Sequence, residues 1–163
     1  MANNFRHSLL VALMLGFIPA SVMSVFAVPM PLNASAAPQA ATQDSLYKRL
    51  GGYDALAAVT DDFIGRLATD AKEGRFFVGL STDSKVRVRQ HVVDFLCVAT
   101  GGPCKYTGRD METAHTGLNI TEEDWTISVK ALTDTLNKFK VPAREQEEVI
   151  GAIAGLKSKI VGR

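Results

Sequence analysis

The chain predicts an all-α single domain, and three observations carry that prediction. Apolar residues recur at three- and four-residue steps in four separate stretches. No alternating apolar and polar run of strand length interrupts them. The stretches are bounded by glycine pairs, prolines and a Thr-led acidic turn, the residues that stop and start helices. A length of 163 residues gives room for one domain and one core.

The first 36 residues stand apart from that domain. Arg6 and His7 form a short basic start, residues 8–28 carry no charge and are mostly apolar, and Ala34-Ser35-Ala36 supplies a small-x-small cleavage site. This is the layout of a secretory signal. A membrane anchor is the competing reading, since the apolar stretch is long enough to span. Pro19, Pro29 and Pro31 interrupt it, and the small-residue site favours cleavage. No cysteine lies nearby, which argues against a lipid anchor. The expected organisation is a signal over residues 1–36, a flexible leader over 37–43 and a domain over 44–163. The expected location is the periplasm or the medium, with the membrane met only through the signal before cleavage.

Within the domain, residues 53–70 place Leu56, Val59, Phe63 and Leu67 on one helical face, and residues 81–100 do the same with Val88, Val92, Phe95 and Ala99. Gly101-Gly102-Pro103 ends the second helix. Thr121 followed by Glu122, Glu123 and Asp124 is a capped helix start. Trp125, Val129, Leu132, Leu136 and Phe139 then repeat at 4-3-4-3 spacing. Val141-Pro142 separates this helix from a last one, with Pro142 in its first turn and Val149, Ile150, Ile153, Leu156 and Ile160 as its buried face. The two C-terminal helices are expected to pack as a hairpin. Gly151 and Gly155, four residues apart, are expected to permit a close approach.

Charge and cysteine content narrow the function. The chain has 18 Lys and Arg against 17 Asp and Glu; Arg6 is the only charged residue in the signal, so 17 of each remain after its removal. A neutral balance argues against nucleic acid or an anionic lipid surface as partner, because phosphate binding needs clustered cations. Cys97 and Cys104 lie at a helix end and just past the Gly-Gly-Pro turn, so they can meet; a disulfide and a buried apolar Cys97 both remain open. Their spacing, with no histidine following, does not fit a Cys-x-x-Cys-His haem attachment site. No nucleophile elbow, phosphate loop, zinc pair or nicotinamide or flavin motif occurs.

Chemistry concentrates in residues 101–121, GGPCKYTGRDMETAHTGLNIT. With His7 in the signal, His91 and His115 are the only histidines of the domain. By spacing alone His115 reads as an ordinary capping or surface histidine on a short helix or as a metal ligand; a neutral imidazole is a good ligand for haem iron.

Three motifs in register add to this: Leu46-Tyr47-Lys48-Arg49-Leu50-Gly51-Gly52; Phe76-Phe77; and Gly101-Gly102-Pro103, Tyr106-Thr107-Gly108, Met111 and His115. Together they resemble the group I (N-type) truncated haemoglobins over roughly residues 45–160. The resemblance implies a truncated globin fold, a two-over-two helical sandwich around haem b. His115 is then the proximal iron ligand, with Met111 one turn before it, and Phe77 the ring against the porphyrin. Arg109 and Tyr106 are the leading candidates to meet the haem propionates; Lys85, Arg87, Arg89 and Lys105 also flank the pocket, most of them as solvated helix faces.

On the opposite, distal side the chain departs from the pattern. Ile64, Val88 and Val92 stand where the family usually places a tyrosine and glutamines, beside Phe95. Losing a hydrogen bond to a charged partner removes roughly 1.5–3 kcal/mol, so an aliphatic distal side implies fast oxygen release. His91 has three readings: a displaceable sixth iron ligand, a propionate partner, or a solvated surface residue. The implied function is reversible binding of dioxygen, nitric oxide or carbon monoxide. The alternatives are a bis-histidyl electron carrier and a nitric oxide dioxygenase, which needs an external redox partner because this chain carries no reductase domain. A haem-free interaction module is the remaining, weakest reading.

Overall fold

A computed structural model describes residues 44–163 of the chain. The expected signal over residues 1–36 and the expected leader over 37–43 lie outside the described residues. Among the described residues there are helices and no strands. They are α1 (Leu46–Arg49), α2 (Gly52–Thr69), a 3-10 turn (Glu73–Phe76), α3 (Thr82–Ala99), α4 (Met111–His115), α5 (Glu122–Lys138), α6 (Ala143–Ala154) and α7 (Lys157–Ile160).

The local signals explain where the long helices start. Ser81 caps α3 by accepting from the Ser84 amide at 3.2 Å. Thr121 and Asp124 close a full capping box at α5: the Thr121 hydroxyl accepts from the Asp124 amide, and Asp124 accepts from the Thr121 amide at 2.8 Å. Pro142 sits at the cap of α6 rather than inside its first turn, because its extended ψ of 151° precedes the first helical residue.

The α2–α3 pair packs on the α5–α6 pair chiefly through α2 and α5, and the short α4 packs on α7. One core cluster joins Val59 of α2 to Leu132 and Leu136 of α5 and Val149 of α6. A second joins Leu56 of α2 to Leu96 and Cys97 of α3. Truncating a fully buried leucine such as Leu136 costs about 2–5 kcal/mol.

The apolar stripes lie in the expected helices, but not always on the expected flank. In α3 the core-facing residues are Val93, Leu96 and Cys97, whereas Ala99 is exposed and Val88 is 37% exposed. Phe139 ends α5 at 41% exposure, beneath the Lys138 ammonium. The expected single last helix breaks at Gly155 into α6 and α7, and of its expected buried face only Val149 is fully buried. A side chain at Gly151 would meet open space and one at Gly155 ordinary van der Waals contact, so neither glycine marks a close approach.

Candidate functional site

Many of the incompletely buried apolar residues have a common destination. Phe63, Ile64 and Leu67 of α2, Val88, Val92 and Phe95 of α3, Trp125 and Val129 of α5, Ile153 of α6 and Ile160 of α7 all face one cavity of about 640 Å³. That size falls within the range of small-molecule and cofactor sites. Its wall is overwhelmingly apolar, with a few polar groups placed in it.

All ten site residues expected from the sequence line this cavity: Ile64, Phe77, Val88, His91, Val92, Phe95, Tyr106, Arg109, Met111 and His115. They come from the two long N-terminal helices, the 3-10 turn's end, the loop after α3 and the short helix α4. Of the cations expected to flank the pocket, Arg87 and Arg109 reach its wall. Lys85 and Lys105 do not line it. Arg89 turns away to α2, where Asp61 holds it in a paired contact, one arm of it at 2.8 Å. It is one of the solvated helix-face cations expected here, since an α3 residue two positions from Arg87 points to a different side of the helix.

His115 is placed by α4, which Asp110 caps by accepting from the Thr113 amide at 2.9 Å. Its Nδ1 lies 2.7 Å from the Met111 carbonyl oxygen one turn earlier. A carbonyl only accepts, so Nδ1 carries the proton, and in the neutral ring Nε2 then keeps its lone pair. That is the tautomer that metal ligation through Nε2 requires, oriented from the opposite side of the ring. The following loop is clamped by the chain's C-terminal residues. Asn119 donates its amide to the Arg163 carbonyl, Gly162 donates to that of Ile120, and Arg163 pairs with Glu112 at 3.3 Å.

A further part of the wall comes from the loop between α3 and α4, through Tyr106 and Arg109. The Cys97–Cys104 disulfide is formed, with Cα atoms 5.8 Å apart, which settles the alternatives left open by spacing. Gly102 is required there, because a Cβ at that position would sit 2.5 Å from the Tyr47 ring and 2.6 Å from the Cys97 sulfur. Beyond it Tyr106 folds back over Gly108, where a Cβ would collide with the Tyr106 hydroxyl. That hydroxyl donates to the Arg109 carbonyl at 2.6 Å, and burial, reinforced by Asp110, pushes its ionisation upward. The Tyr106 ring meets His91 edge-on at 6.1 Å and Phe95 at 5.6 Å. Neither ring nitrogen of His91 has a hydrogen-bond partner among the described residues. The Tyr106 hydroxyl is already committed to a backbone carbonyl, so it holds the wall together instead of offering a donor to the cavity.

Nothing in the sequence marks Glu73. It belongs to the cavity wall yet is only 3% exposed, and an acid in a polar turn ordinarily signals solvent. Trp125, Val129, Ile153, Leu156 and Ile160, expected to serve helix–helix packing, line the cavity, Ile153 while also packing on both core clusters. Periodicity marks an apolar face without saying what covers it.

The residues present fit a flat apolar cofactor carrying a metal and acidic side groups. The cavity supplies one oriented imidazole, aromatic and aliphatic walls, and Arg87 and Arg109 at its wall.

The comparisons with known proteins agree in kind. Residues 45–161 match the model of the bacterial-like globin family. The chain is 35% identical to the group 1 truncated hemoglobin GlbN of Mycolicibacterium paratuberculosis, over 71% of this chain and 83% of that one. It is 31% identical to the group 1 truncated hemoglobin GlbN of Nostoc commune, over 73% of this chain and 98% of that one. Among solved structures, the 2/2 hemoglobin of Synechococcus sp. PCC 7002, in the cyanomet state with covalently attached heme, superposes with a TM-score of 0.67 at 27% identity, covering 74% of this chain and all of that one.

Proposed function

The chain belongs to the bacterial-like globin family, with the group 1 truncated haemoglobins as its relatives, and from that membership we propose that it is a haem protein that reversibly binds a small diatomic molecule, and from its N-terminal sequence that it is exported. The observation that carries this reading is the His115 imidazole, held by Met111 in the Nδ1-protonated form at the wall of an apolar cavity of about 640 Å³.

Haem b, when bound, supplies an iron with an exchangeable coordination position for dioxygen, nitric oxide or carbon monoxide. Every other contribution comes from the chain. His115 offers its Nε2 lone pair from the C-terminal end of α4. Phe76 and Phe77 exclude water and offer flat faces. Arg109 and Arg87 supply positive charge for the propionates, and Arg109 is the freer of the two, since Arg87 already donates to Ser84 at 3.1 Å. Ile64, Val88 and Val92 offer no hydrogen bond to a polarised ligand. Dissociation of dioxygen should accordingly be fast, by roughly the tenfold or more that a lost charged hydrogen bond of about 1.5–3 kcal/mol implies.

A second reading rests on His91. It lines the same cavity as His115, and neither of its ring nitrogens has a hydrogen-bond partner among the described residues. In this reading it is a displaceable sixth ligand, which favours electron transfer while it is in place. The absorption spectrum separates the two. His91→Ala should convert a low-spin ferric spectrum to high spin; an unchanged spectrum removes the bis-histidyl reading. His115→Gly should lose haem or shift the Soret band, and a variant that keeps haem with unaltered absorption would overturn the proposal as a whole.

Export is supported by the uncharged stretch of residues 8–28 ahead of Ala34-Ser35-Ala36, and by a disulfide of the kind that persists in oxidising compartments. N-terminal sequencing of the protein recovered outside the cytoplasm should begin near Ala37. Recovery of the full-length chain from the cytoplasm counts against it.

A further inference from the structure

The 3-10 turn that carries Phe76 and leads into Phe77 is fastened to α5 by three side chains. Lys72 pairs with Glu123 at the surface, and Arg75 donates to Asp124 at 2.7 Å. The third, Glu73, accepts from the Ser128 hydroxyl at 3.2 Å through Oε2. Glu73 and Asp124 are each only 3% exposed. They differ in how their oxygens are met. Asp124 accepts from the Thr121 amide, the Thr121 hydroxyl and Arg75, and is held ionised down to about 2, first by the Thr121 amide. The Glu73 Oε1 atom, by contrast, is shut off from solvent and faces no donor.

A buried carboxylate oxygen without a donor is costly, and a charged carboxylate beside a second one is costlier. A proton on Oε1 removes both costs, turning the orphaned acceptor into a donor whose natural acceptor is the neighbouring ionised Asp124. We propose that Glu73 carries a proton at neutral pH, bonded between Ser128 and Asp124, and positions the Phe76–Phe77 turn against the cavity, so that this one proton sets how firmly the cavity holds its cofactor. The proposal rests on the haem reading for the identity of that cofactor. Burial, and after it the charge of Asp124, push the Glu73 acid upward, while Ser128 and Arg75 work the other way.

The remaining charges around the turn do not compete. Lys72 is engaged by Glu123, and Asp70 accepts the amides of Lys72 and Glu73. On α2, which also packs on the turn, Asp61 is paired with Arg89, and Asp62 with Arg66 and Lys138. Glu73 is therefore the group expected to titrate here above the ordinary carboxylate range. When it ionises, two carboxylates face each other behind the aromatic pair, and the fastening of the turn to α5 loosens.

The test uses the haem-loaded full chain and its Glu73→Gln variant, with haem loss to an excess of a high-affinity acceptor apoglobin followed from about pH 7.5 to 9.5, above most histidine and below most tyrosine titration. The wild-type rate should rise severalfold across the window as Glu73 loses its proton. Glu73→Gln should stay flat, near the wild-type value at the low end. Equal rises in both proteins overturn the positioning role. A second measurement does not need haem: the infrared spectrum of the cofactor-free protein at neutral pH should show a protonated carboxyl band that Glu73→Gln lacks, and its absence from the wild type overturns the proton assignment. A wild-type chain that takes up no haem overturns the functional reading, and the infrared band still decides the proton.

Discussion

His115 owes its chemistry to the far side of its ring, where the Met111 carbonyl fixes which nitrogen holds the proton. Because that acceptor is backbone, no side-chain substitution at residue 111 removes it. Met111→Leu should leave the ferric spectrum essentially unchanged, and a loss of haem would show that the thioether itself matters. The two buried acids of the 3-10 turn and α5 respond to pH with opposite signs. Asp124 titrates lower in the folded chain than when unfolded, so its stabilisation is complete above about pH 4 and disappears as pH falls towards 2. Asp124→Asn should therefore lower the melting temperature near neutrality and converge on wild type in acid. Glu73 titrates higher when folded, so stability is lost as pH rises from its unfolded value through its folded one. Glu73→Gln should melt at or above wild type in mild alkali and match it near pH 4, as followed by circular dichroism.

Among the elements, the loop between α3 and α4 is the most constrained. The disulfide, the Tyr47 ring and Gly102 occupy one volume, so Gly102→Ala should destabilise the fold by about 1–3 kcal/mol, the cost of overpacking. Gly108→Ala instead displaces Tyr106 from beneath its own hydroxyl contact and frees the ring that leans on His91. Its signature should be a changed ferric spectrum with a smaller change in melting temperature; the reverse pattern would mean that the Tyr106 contact is structural only. The α5 cap is the other exposed joint. Thr121→Ala removes half of the capping box and should cost about 1 kcal/mol in chemical denaturation.

Taken as a single body, the domain is built around a space. Two modest core clusters hold α2, α3, α5 and α6 together, while a large share of the aromatic and aliphatic side chains face the cavity. A fold of this kind depends on what fills it, so haem should raise the melting temperature in proportion to the logarithm of its free concentration. Reducing the Cys97–Cys104 bridge should lower it as well, because closing so short a loop is worth about 2–3 kcal/mol in the chain-entropy account. If reductant leaves the melting curve of the cofactor-free chain unchanged, the bridge does not restrain the unfolded chain.

Local rules were enough to establish the helical class and the limits of α2 and α3 to within a residue, and the family resemblance picked out ten of the residues that meet at the cavity. Those rules are the 3.6-residue period, the Thr121 cap, the Gly101-Gly102-Pro103 stop, and motifs whose spacing is set along the chain. Packing had to choose which flank of each apolar stripe faces protein and which faces the cavity, as Val93 and Val92 show on adjacent positions of α3. Packing also joined Cys97 to Cys104, drew Arg89 from the pocket to Asp61, and buried Glu73. One cause underlies all of these. Burial and pairing depend on neighbours brought from distant parts of the chain, and a polar residue such as Glu73 carries no periodic signal to say that its neighbours will be Ser128 and Asp124.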